Sequence, residues 1–414
     1  MARRTTFAAS LVVLLMLGVG LAACGSGTDE AKRGGSVIGD SLTIYSSLPL
    51  RGPLAERMRA TVGGEKLAIA DAGAKAGDWT IKYSSLDDAA GPGGWDPSAT
   101  ATNAREAAQD PTTLAFLGNA DFGATAISMP LLNAAGVAQV SPAATYPGFT
   151  VATAQTDKGE PDKYEPSGVP TFSRVIPTDV VEGEAQAAYQ RLEGCRRTFV
   201  LDDGGVEGRS LADAVAAALP ERGIALSGRE SVEMDDAGKS EVVAQVRDER
   251  SDCAFLGASS SARVGGLWPA LAAALPPSGR LFLPAALAHR TAELGAREQA
   301  ATRITRPVLP LGRMNARARD VMRRYERRFG APAPPEMLYG YEAMSLVIDA
   351  LRRAGDRANE RSHVAALLRG VSRPDTVLGP DLLRSDGDTT LRRFSGYRVR
   401  GGEPVFDRVL GLDG

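Results

Sequence analysis

Short apolar runs alternate along most of this chain with longer segments whose apolar residues recur every three or four positions. The short runs predict buried strands and the longer segments predict amphipathic helices. In the first third, the predicted strands cover residues 41–46, 79–84, 114–117 and 137–140, and the predicted helices cover 57–72, 97–109 and 125–133. Such alternation predicts a parallel sheet with helices on both faces.

The same alternation restarts after a loop at 147–170 that is rich in Pro, Gly, Lys and Asp. The predicted strands of this second unit cover 172–176, 198–202, 225–232, 254–257 and 281–283, and its helices cover 180–192, 209–219, 242–248 and 264–275. Helices at 339–353 and 363–368 follow, and then antiparallel strands at 389–396, 397–400 and 405–410. Two successive units of one plan predict an α/β protein with two lobes.

The N-terminus has the pattern of a secretory signal. Arg3 and Arg4 precede an uncharged apolar run at 7–22, which ends in Leu-Ala-Ala before Cys24. This ending resembles a bacterial lipobox, so we expect a signal peptide at 1–23, a lipid on Cys24 and attachment to the membrane through that lipid. A spanning anchor with an incidental cysteine is the alternative, but the run is shorter than the roughly 20 residues that a spanning helix needs. Residues 24–40 are small, polar and Gly-rich, which predicts a flexible tether.

Length and composition narrow the class further. The chain has 414 residues, 43% of them hydrophobic and 6% aromatic, which suits two α/β domains of ordinary size. Its net charge is −2, and the arginines of 322–328 are spaced like the solvated side of a helix. We therefore expect no nucleic-acid partner, because such a partner requires a clustered basic face.

The two cysteines that follow Cys24 each precede a strand-like run. Cys195 lies just before 198–201, and Cys253 lies directly before 254–256. If those strands are neighbours in a parallel sheet, the cysteines lie at the same edge and a disulfide is geometrically possible. Two buried free thiols are the alternative.

Four segments resemble one known family. They are 49–55 followed by 64–70, the Asp87-Asp88 pair, Gly136-Val-Ala-Gln-Val-Ser-Pro-Ala-Ala-Thr145, and Tyr339-Gly-Tyr-Glu-Ala-Met344. In this order they are similar to type I periplasmic (solute) binding proteins of ABC importers, specifically the leucine/isoleucine/valine-binding family. The resemblance extends from about residue 42 to 410.

The resemblance implies two lobes, each a parallel sheet flanked by helices, joined by a hinge of three chain crossings. We place the crossings near Phe172, Pro310 and Pro380. Lobe 1 then contains 41–171 and 311–380, and lobe 2 contains 172–310 and 381–414. In the family, a small solute closes the lobes and the closed form docks on a membrane permease. A monomer and no cofactor are expected.

The resemblance also implies a binding site at the carboxyl ends of the strands, where parallel α/β sheets bind ligands. There the Ala143 backbone and the Thr145 hydroxyl are expected to hold a carboxylate or an amine. The alternative is that Ser141 and Thr145 only cap local structure. The expected site residues are Asp121, Phe122, Gly123, Ser141, Ala143, Thr145, Val206, Ser259, Ser260 and Ala286.

Several of these positions depart from the amino-acid binders of the family. Phe122 stands where they use a serine, the region of Val206 lacks their tyrosine, and the loop 284–288 lacks the acid that pairs with the substrate ammonium. A desolvated ammonium without a partner is unfavourable. We therefore expect a small polar or carboxylated solute rather than a free α-amino acid, unless another acid takes over that role. The candidate acids are Asp121, Asp202 and Asp203.

Two arginines flank the first loop of lobe 1. Arg51 and Arg57 either reach a solute carboxylate, for which a guanidinium is well suited, or lie in solvent.

Enzymatic activity is not expected. The chain has two histidines, His289 and His363, and it lacks a Gly-x-Ser-x-Gly elbow, a His-Glu-x-x-His helix and a phosphate-binding P-loop. No spacing of His and Cys predicts a metal site. The remaining alternative to an importer component is a lipoprotein of the same fold that senses a ligand and signals to a membrane receptor or regulator.

Overall fold

A computed structural model describes residues 36–37, 39–89, 94–153, 156–233, 235–259 and 265–412. The predicted signal peptide, Cys24, most of the predicted tether and the candidate site residue Ser260 lie outside the described residues. Within those ranges, no helix is long and apolar enough to cross a membrane.

The first sheet has six strands in the spatial order β2-β3-β1-β4-β5-β6. They are β1 (Ser41–Leu48), β2 (Lys75–Ala76), β3 (Trp79–Asp87), β4 (Thr113–Gly118), β5 (Ala138–Ser141) and β6 (Phe172–Arg174). All pairs are parallel except β2 with β3. Every residue of β4 is buried, as expected for a central strand with both faces covered. The helices that follow these strands are α1 (Ala55–Asp71), α2 (Pro97–Gln109) and α3 (Phe122–Ala134).

The second sheet has seven strands in the order β15-β14-β11-β10-β9-β7-β8. They are β7 (Arg197–Asp202), β8 (Ala225–Ser231), β9 (Cys253–Gly257), β10 (Arg280–Leu283), β11 (Thr302–Arg306), β14 (Phe394–Arg400) and β15 (Glu403–Leu410). Its helices are α4 (Asp179–Leu192), α5 (Val206–Ala218), α6 (Asp236–Asp248), α7 (Leu267–Ala274) and α8 (Ala296–Ala301). The last two strands pair antiparallel, as predicted for the C-terminal segment, but the separate strands predicted at 389–396 and 397–400 are replaced by the single strand β14.

Between β11 and β14 the chain returns to the first sheet. It forms α9 (Ala316–Phe329), α10 (Met337–Ala354), α11 (Arg361–Leu367) and the hairpin β12 (Val371–Arg373) with β13 (Asp381–Leu383). Helix α10 packs closely on α1, and two glycines allow this approach. A Cβ on Gly64 would lie 2.0 Å from the Met337 carbonyl oxygen, and one on Gly340 would lie 2.0 Å from the Thr61 carbonyl oxygen. The expected two-lobed α/β architecture is confirmed.

One of the predicted lobe boundaries shifts. Strand β6 pairs with β5, so Phe172–Arg174 belongs to the first sheet and the first crossing follows it. The hairpin of β12 and β13 is a separate two-stranded sheet, and the third crossing, expected near Pro380, stays a prediction.

The described end of the predicted tether is attached to lobe 1. The Val37 backbone N–H donates to the Asn359 carbonyl oxygen over 2.8 Å, and the Asn359 side-chain amide donates to the Val37 carbonyl oxygen over 3.2 Å. The Val37 side chain is buried. The prediction of a flexible tether at 24–40 is therefore wrong for residues 36 and 37.

A disulfide joins Cys195 and Cys253, with their Cα atoms 5.8 Å apart. Cys253 begins β9 and faces Thr198 of the neighbouring parallel strand β7, so both cysteines lie at the start of adjacent strands. Asp252 lies beside them and accepts hydrogen bonds from the backbone N–H groups of Arg196 and Arg197. The sulfur atoms are therefore bonded to each other and are not free metal ligands.

Candidate functional site

The carboxyl ends of the two sheets face each other across a cleft that contains two adjoining cavities. The small chamber has a volume of about 80 Å³ and the large chamber a volume of about 280 Å³. Residues of both lobes line each chamber, and the two chambers share Leu54, Arg57, Met58, Ala143, Ile176, Ala285 and Pro307. This is the position at which parallel α/β sheets bind ligands.

Half of the predicted site residues line the small chamber. From lobe 1 these are Asp121, Ala143 and Thr145, and from lobe 2 they are Ser259 and Ala286. The structure therefore brings together residues that lie far apart in the sequence.

Ser141 has a supporting position instead. Its hydroxyl donates to the Asn119 carbonyl oxygen over 2.8 Å and accepts from the Ala143 and Ala144 N–H groups over 3.1 and 2.8 Å. The Ala143 N–H, which was expected to hold a solute carboxylate, is thus already paired within its own loop. Ser141 shapes the chamber wall and does not line it.

Three further candidates pack the interface between the lobes. Phe122 stacks on Phe149 with ring centroids 5.4 Å apart, and Val206 of lobe 2 packs against the same aromatic cluster of lobe 1. Gly123 packs against Trp95, whose ring would lie 2.3 Å from a Cβ at this position. Phe122, Gly123 and Val206 do not line either chamber, because protein side chains fill the space beside them.

Two acids that the sequence analysis missed line the small chamber from the first turn of α4. Asp179 accepts a hydrogen bond from the Ser210 hydroxyl over 2.7 Å. Glu182 accepts from the Ala285 N–H over 3.1 Å and from the Thr305 hydroxyl over 2.7 Å. Burial raises the pKa of Asp179 and raises that of Glu182 to about 7. Acids are common at helix N-termini for electrostatic reasons alone, so their sequence positions carried no functional signal.

A third missed acid, Glu207, meets Asp121 across the cleft. Glu207, in the first turn of α5, accepts a hydrogen bond from the Phe122 N–H of lobe 1 over 2.6 Å. Asp121 caps α3 by accepting from the Gly123 N–H over 2.9 Å. Burial, together with the charge of Asp88, raises the pKa of Asp121 to about 6. Burial and then the charge of Asp121 hold the pKa of Glu207 well above its usual range.

Of the three acids proposed to replace the missing ammonium partner, Asp121 alone lines a chamber. Asp202 is fully buried and forms an ion pair with Arg229 at 2.5 Å. Asp203 accepts from the backbone N–H groups of Gly205 and Ser259, at 3.0 and 3.1 Å. Asp202 and Asp203 therefore organise the loops of lobe 2 behind the chamber.

The two candidate arginines have different environments. Arg51 is largely exposed and forms an ion pair with Asp87 at 2.6 Å. Arg57 lines both chambers, and its buried Nε has no hydrogen-bond partner among the described residues. Burial lowers the pKa of Arg57, and the neighbouring positive charge of Arg306 also lowers it. Arg57 is therefore the arginine that can reach a bound solute.

The sequence profile of the family described as periplasmic binding protein matches residues 43–403. The chain belongs to this family. It is a family of solute-binding proteins that work outside the cytoplasm, and it is not an enzyme family. A comparison with curated protein sequences finds no match.

Solved structures of similar proteins agree with this assignment. A leucine-binding protein from Thermotoga maritima is 19% identical, with a TM-score of 0.73 over 90% of this chain and 99% of that one. A solute-binding protein of R. palustris, solved with benzoate, is 16% identical, with a TM-score of 0.69 over 90% and 96%. A branched-chain amino acid binding protein of Streptococcus pneumoniae, solved with isoleucine, is 16% identical, with a TM-score of 0.68 over 89% and 100%. The predicted type I fold of the leucine/isoleucine/valine-binding group is confirmed.

Proposed function

We propose that this periplasmic binding protein is the lipid-anchored solute-binding component of an ABC importer of the branched-chain amino acid type. It captures a small polar or carboxylated solute in the two chambers between its lobes and delivers it to the permease. The observation that carries this proposal is the cleft itself, since residues of both lobes line each chamber.

Contact with both lobes explains how a solute would control the shape of the protein. A ligand shifts a conformational equilibrium only by binding one state more tightly than the other. A solute in the small chamber would touch Thr145 of lobe 1 and Ser259 of lobe 2 at the same time, and an opening of the cleft would separate the two contacts. Solute binding would thereby create the closed surface that a permease recognises.

Arg57 supports an acceptor group on the solute. The buried Nε of Arg57 has no hydrogen-bond partner among the described residues and so loses the hydrogen bond that it makes in water. A solute carboxylate or carbonyl oxygen beside this Nε would restore it, and a carboxylate could also accept from a second nitrogen of the guanidinium.

A thermal-shift screen of the mature chain, residues 24–414, against polar and carboxylated solutes tests the binding role. A solute that binds only the folded state raises the melting temperature in proportion to RT ln(1 + [L]/Kd). We expect Arg57→Gln and Thr145→Ala to abolish the shift, whereas Arg51→Gln, at an exposed position outside the chambers, should retain it. A cooperative melt with no shift across the library would contradict the proposal.

Lipid anchoring has a separate test. Intact-mass analysis of the protein from membranes should show acyl chains on Cys24, and Cys24→Ala should release the protein into the soluble fraction. Retention of that variant in the membrane would contradict anchoring through Cys24.

A further inference from the structure

A further cavity of lobe 2 lies away from the cleft, at the beginning of β11. It has a volume of about 330 Å³ and is formed by one side of α8 and by the paired strands β11 and β14. None of the described residues that line it lines either chamber, whereas Arg306, at the other end of β11, lines the large chamber. The charged residues in its described lining are three arginines, Arg303, Arg398 and Arg400.

The strand pairing brings these three arginines together. Arg303 of β11 lies directly opposite Arg398 of β14 in the antiparallel pair. Arg400 follows two positions after Arg398 and therefore lies on the same face of β14. Like charges directly opposite each other destabilise a pair of strands. The position therefore needs negative charge from elsewhere.

Glu193 supplies part of that charge, but four guanidinium groups share it. It accepts from Arg303 Nε over 2.6 Å and from Arg398 Nη2 over 3.0 Å. Two more guanidinium groups, those of Arg280 and Arg408, each have a nitrogen 3.6 Å from it. Burial, and then the charge of Arg280, lowers the pKa of Arg303 in spite of its ion pair with Glu193. One carboxylate therefore does not balance the positive charge around it.

A second carboxylate, Asp407, does not remove the excess. It accepts from Arg408 Nε over 2.7 Å and from the Tyr189 hydroxyl over 3.1 Å, and it lies 3.0 Å from Arg398 Nε. With Arg400, five arginines surround these two carboxylates, which leaves three positive charges without a described counter-charge.

Arg400 is the arginine of this group that a ligand can reach most easily. Its side chain is exposed and makes no ion pair or hydrogen bond within the described part of the chain, not even with Glu403, its neighbour across the hairpin. An isolated surface arginine is adequately solvated by water. Arg400, however, lines the cavity together with Arg303, whose side chain is only 3% exposed. A ligand in the cavity would thus contact an exposed and a buried guanidinium at once.

The excess charge and the donor geometry favour a phosphate group over a carboxylate. A guanidinium presents a planar fork of N–H donors that binds phosphate through two hydrogen bonds. A phosphate monoester carries a charge of about −1.5 to −2 at pH 7, whereas a carboxylate carries one negative charge. A cavity of about 330 Å³ also has room for part of the molecule that bears the phosphate.

We propose that this cavity is a second binding site, which takes a phosphate group between Arg400, Arg398 and the buried Arg303. The site is separate from the solute chambers, because it shares none of their described lining residues. The phosphate group belongs either to a soluble phosphate compound or to the headgroup of a phospholipid. Both sources present the same chemistry to the three arginines.

Calorimetry of the mature chain with inorganic phosphate and with pyrophosphate tests the site, at constant ionic strength so that screening does not change. We expect Arg400→Gln to weaken binding of the anion by about tenfold or more, since it removes hydrogen bonds between charged groups. Arg247→Gln is the matched control, because Arg247 is exposed on α6 of the same lobe, forms no ion pair with a described residue and lies outside the cavity. It should bind the anion as wild type does.

Ala300→Glu tests the same site without removing an arginine. Ala300 is exposed on α8 and lines the cavity, and its carbonyl oxygen would still accept from Arg303 Nη1. The new carboxylate would supply the missing negative charge, so we expect a higher melting temperature without ligand and loss of phosphate binding. Arg57→Gln, which alters the solute chambers, should leave phosphate binding unchanged.

Flotation with vesicles distinguishes the two sources of phosphate. Mixed phosphatidylglycerol and phosphatidylcholine vesicles would be compared with phosphatidylcholine alone. Binding to the mixed vesicles that Arg400→Gln weakens, without a response to the soluble anions, would support the site and assign a lipid headgroup to it. Binding of the soluble anions without flotation would support the site and assign a soluble phosphate compound.

Three results would overturn the proposal. The first is a wild-type protein that binds neither the soluble anions nor the mixed vesicles. The second is binding that Arg400→Gln and Ala300→Glu leave unchanged although both variants melt cooperatively. The third is binding that Arg57→Gln abolishes and Arg400→Gln retains, since the phosphate would then lie in the cleft. None of these results bears on the capture of a solute between the lobes.

Discussion

Glu207 of lobe 2 accepts a hydrogen bond from the backbone N–H of Phe122 in lobe 1 over 2.6 Å. The bond links the first turn of α5 to the first turn of α3, so the positive ends of two helix dipoles face the same carboxyl group. Beside it, Val206 packs against the aromatic cluster that contains Phe149. Glu207 and its neighbour Val206 thus contribute one polar and one apolar contact between the lobes.

Removal of the Glu207 side chain should favour the open form. Glu207→Ala leaves the Phe122 N–H without its acceptor and removes a contact worth about 1–3 kcal/mol. We expect a larger radius of gyration by small-angle scattering in the absence of solute, while Glu221→Ala, at an exposed position of the same lobe, should leave it unchanged. Identical scattering from wild type and Glu207→Ala would contradict a closing role for this bond.

The folded protein should become more stable as the pH falls from about 7.5 to about 5.5. Asp121 has a pKa of about 6, and that of Glu207 is raised well above its usual range, whereas the unfolded chain releases these protons near pH 4. The folded state thus binds more protons than the unfolded state in this interval, and its stability decreases as the pH rises through the folded-state values.

Melting temperatures of wild type and Glu207→Gln across this interval measure the effect. The amide keeps an acceptor for the Phe122 N–H but cannot ionise. The melting temperature of the variant should therefore increase relative to that of wild type as the pH rises. Equal pH dependence of the two proteins would show that Glu207 does not hold a proton in the closed form.

The fold could be predicted in outline because the local periodicity of apolar residues indicates strands and helices. Strand β4, with its uninterrupted apolar run, and helix α2, with Asp96 as its cap, were both evident. The boundary at Phe172 was not, because the short strand β6 exists only through pairing with β5, which lies on the other side of the loop at 147–170.

Only the part of the site that lies in the family motif at 136–145 could be predicted from the sequence. Thr145 follows a strand end in a recognisable segment, and the structure places it in the small chamber. Glu182 and Glu207 gave no comparable signal, since both look like ordinary acids in a first helical turn. Phe122 shows the reverse case, a residue that the family motif points to but that lines neither chamber. Its sequence position matches a ligand contact of the family, but its ring packs on Phe149 and Tyr146 at the lobe interface.

The disulfide should stabilise lobe 2 measurably. Cys195 and Cys253 are 58 residues apart in sequence, and a bridge that closes a loop of this length restricts the unfolded chain by about 2–4 kcal/mol. We expect the double variant Cys195→Ala, Cys253→Ala to unfold at a lower urea concentration, with its free energy of unfolding reduced by about 2–4 kcal/mol. A reductant should lower the wild-type midpoint in the same way and leave the double variant unaffected. An equal response of both proteins to reductant would indicate that the bridge does not contribute.

Gly64 should be intolerant of any side chain because α1 and α10 approach through it. A Cβ at this position would lie 2.0 Å from the Met337 carbonyl oxygen and 2.8 Å from the Tyr341 nitrogen, and backbone atoms cannot move aside as a flexible side chain would. We expect Gly64→Ala to reduce the free energy of unfolding by about 1–3 kcal/mol or more, in spite of the higher helix propensity of alanine. Gly312→Ala is the control, since a Cβ there meets no atom within 4 Å. Chemical denaturation of the two variants measures the difference, and equal stability would mean that the helices separate without cost. Because α10 belongs to the segment that returns from lobe 2, a loss at Gly64 would also show that this return segment is integral to lobe 1.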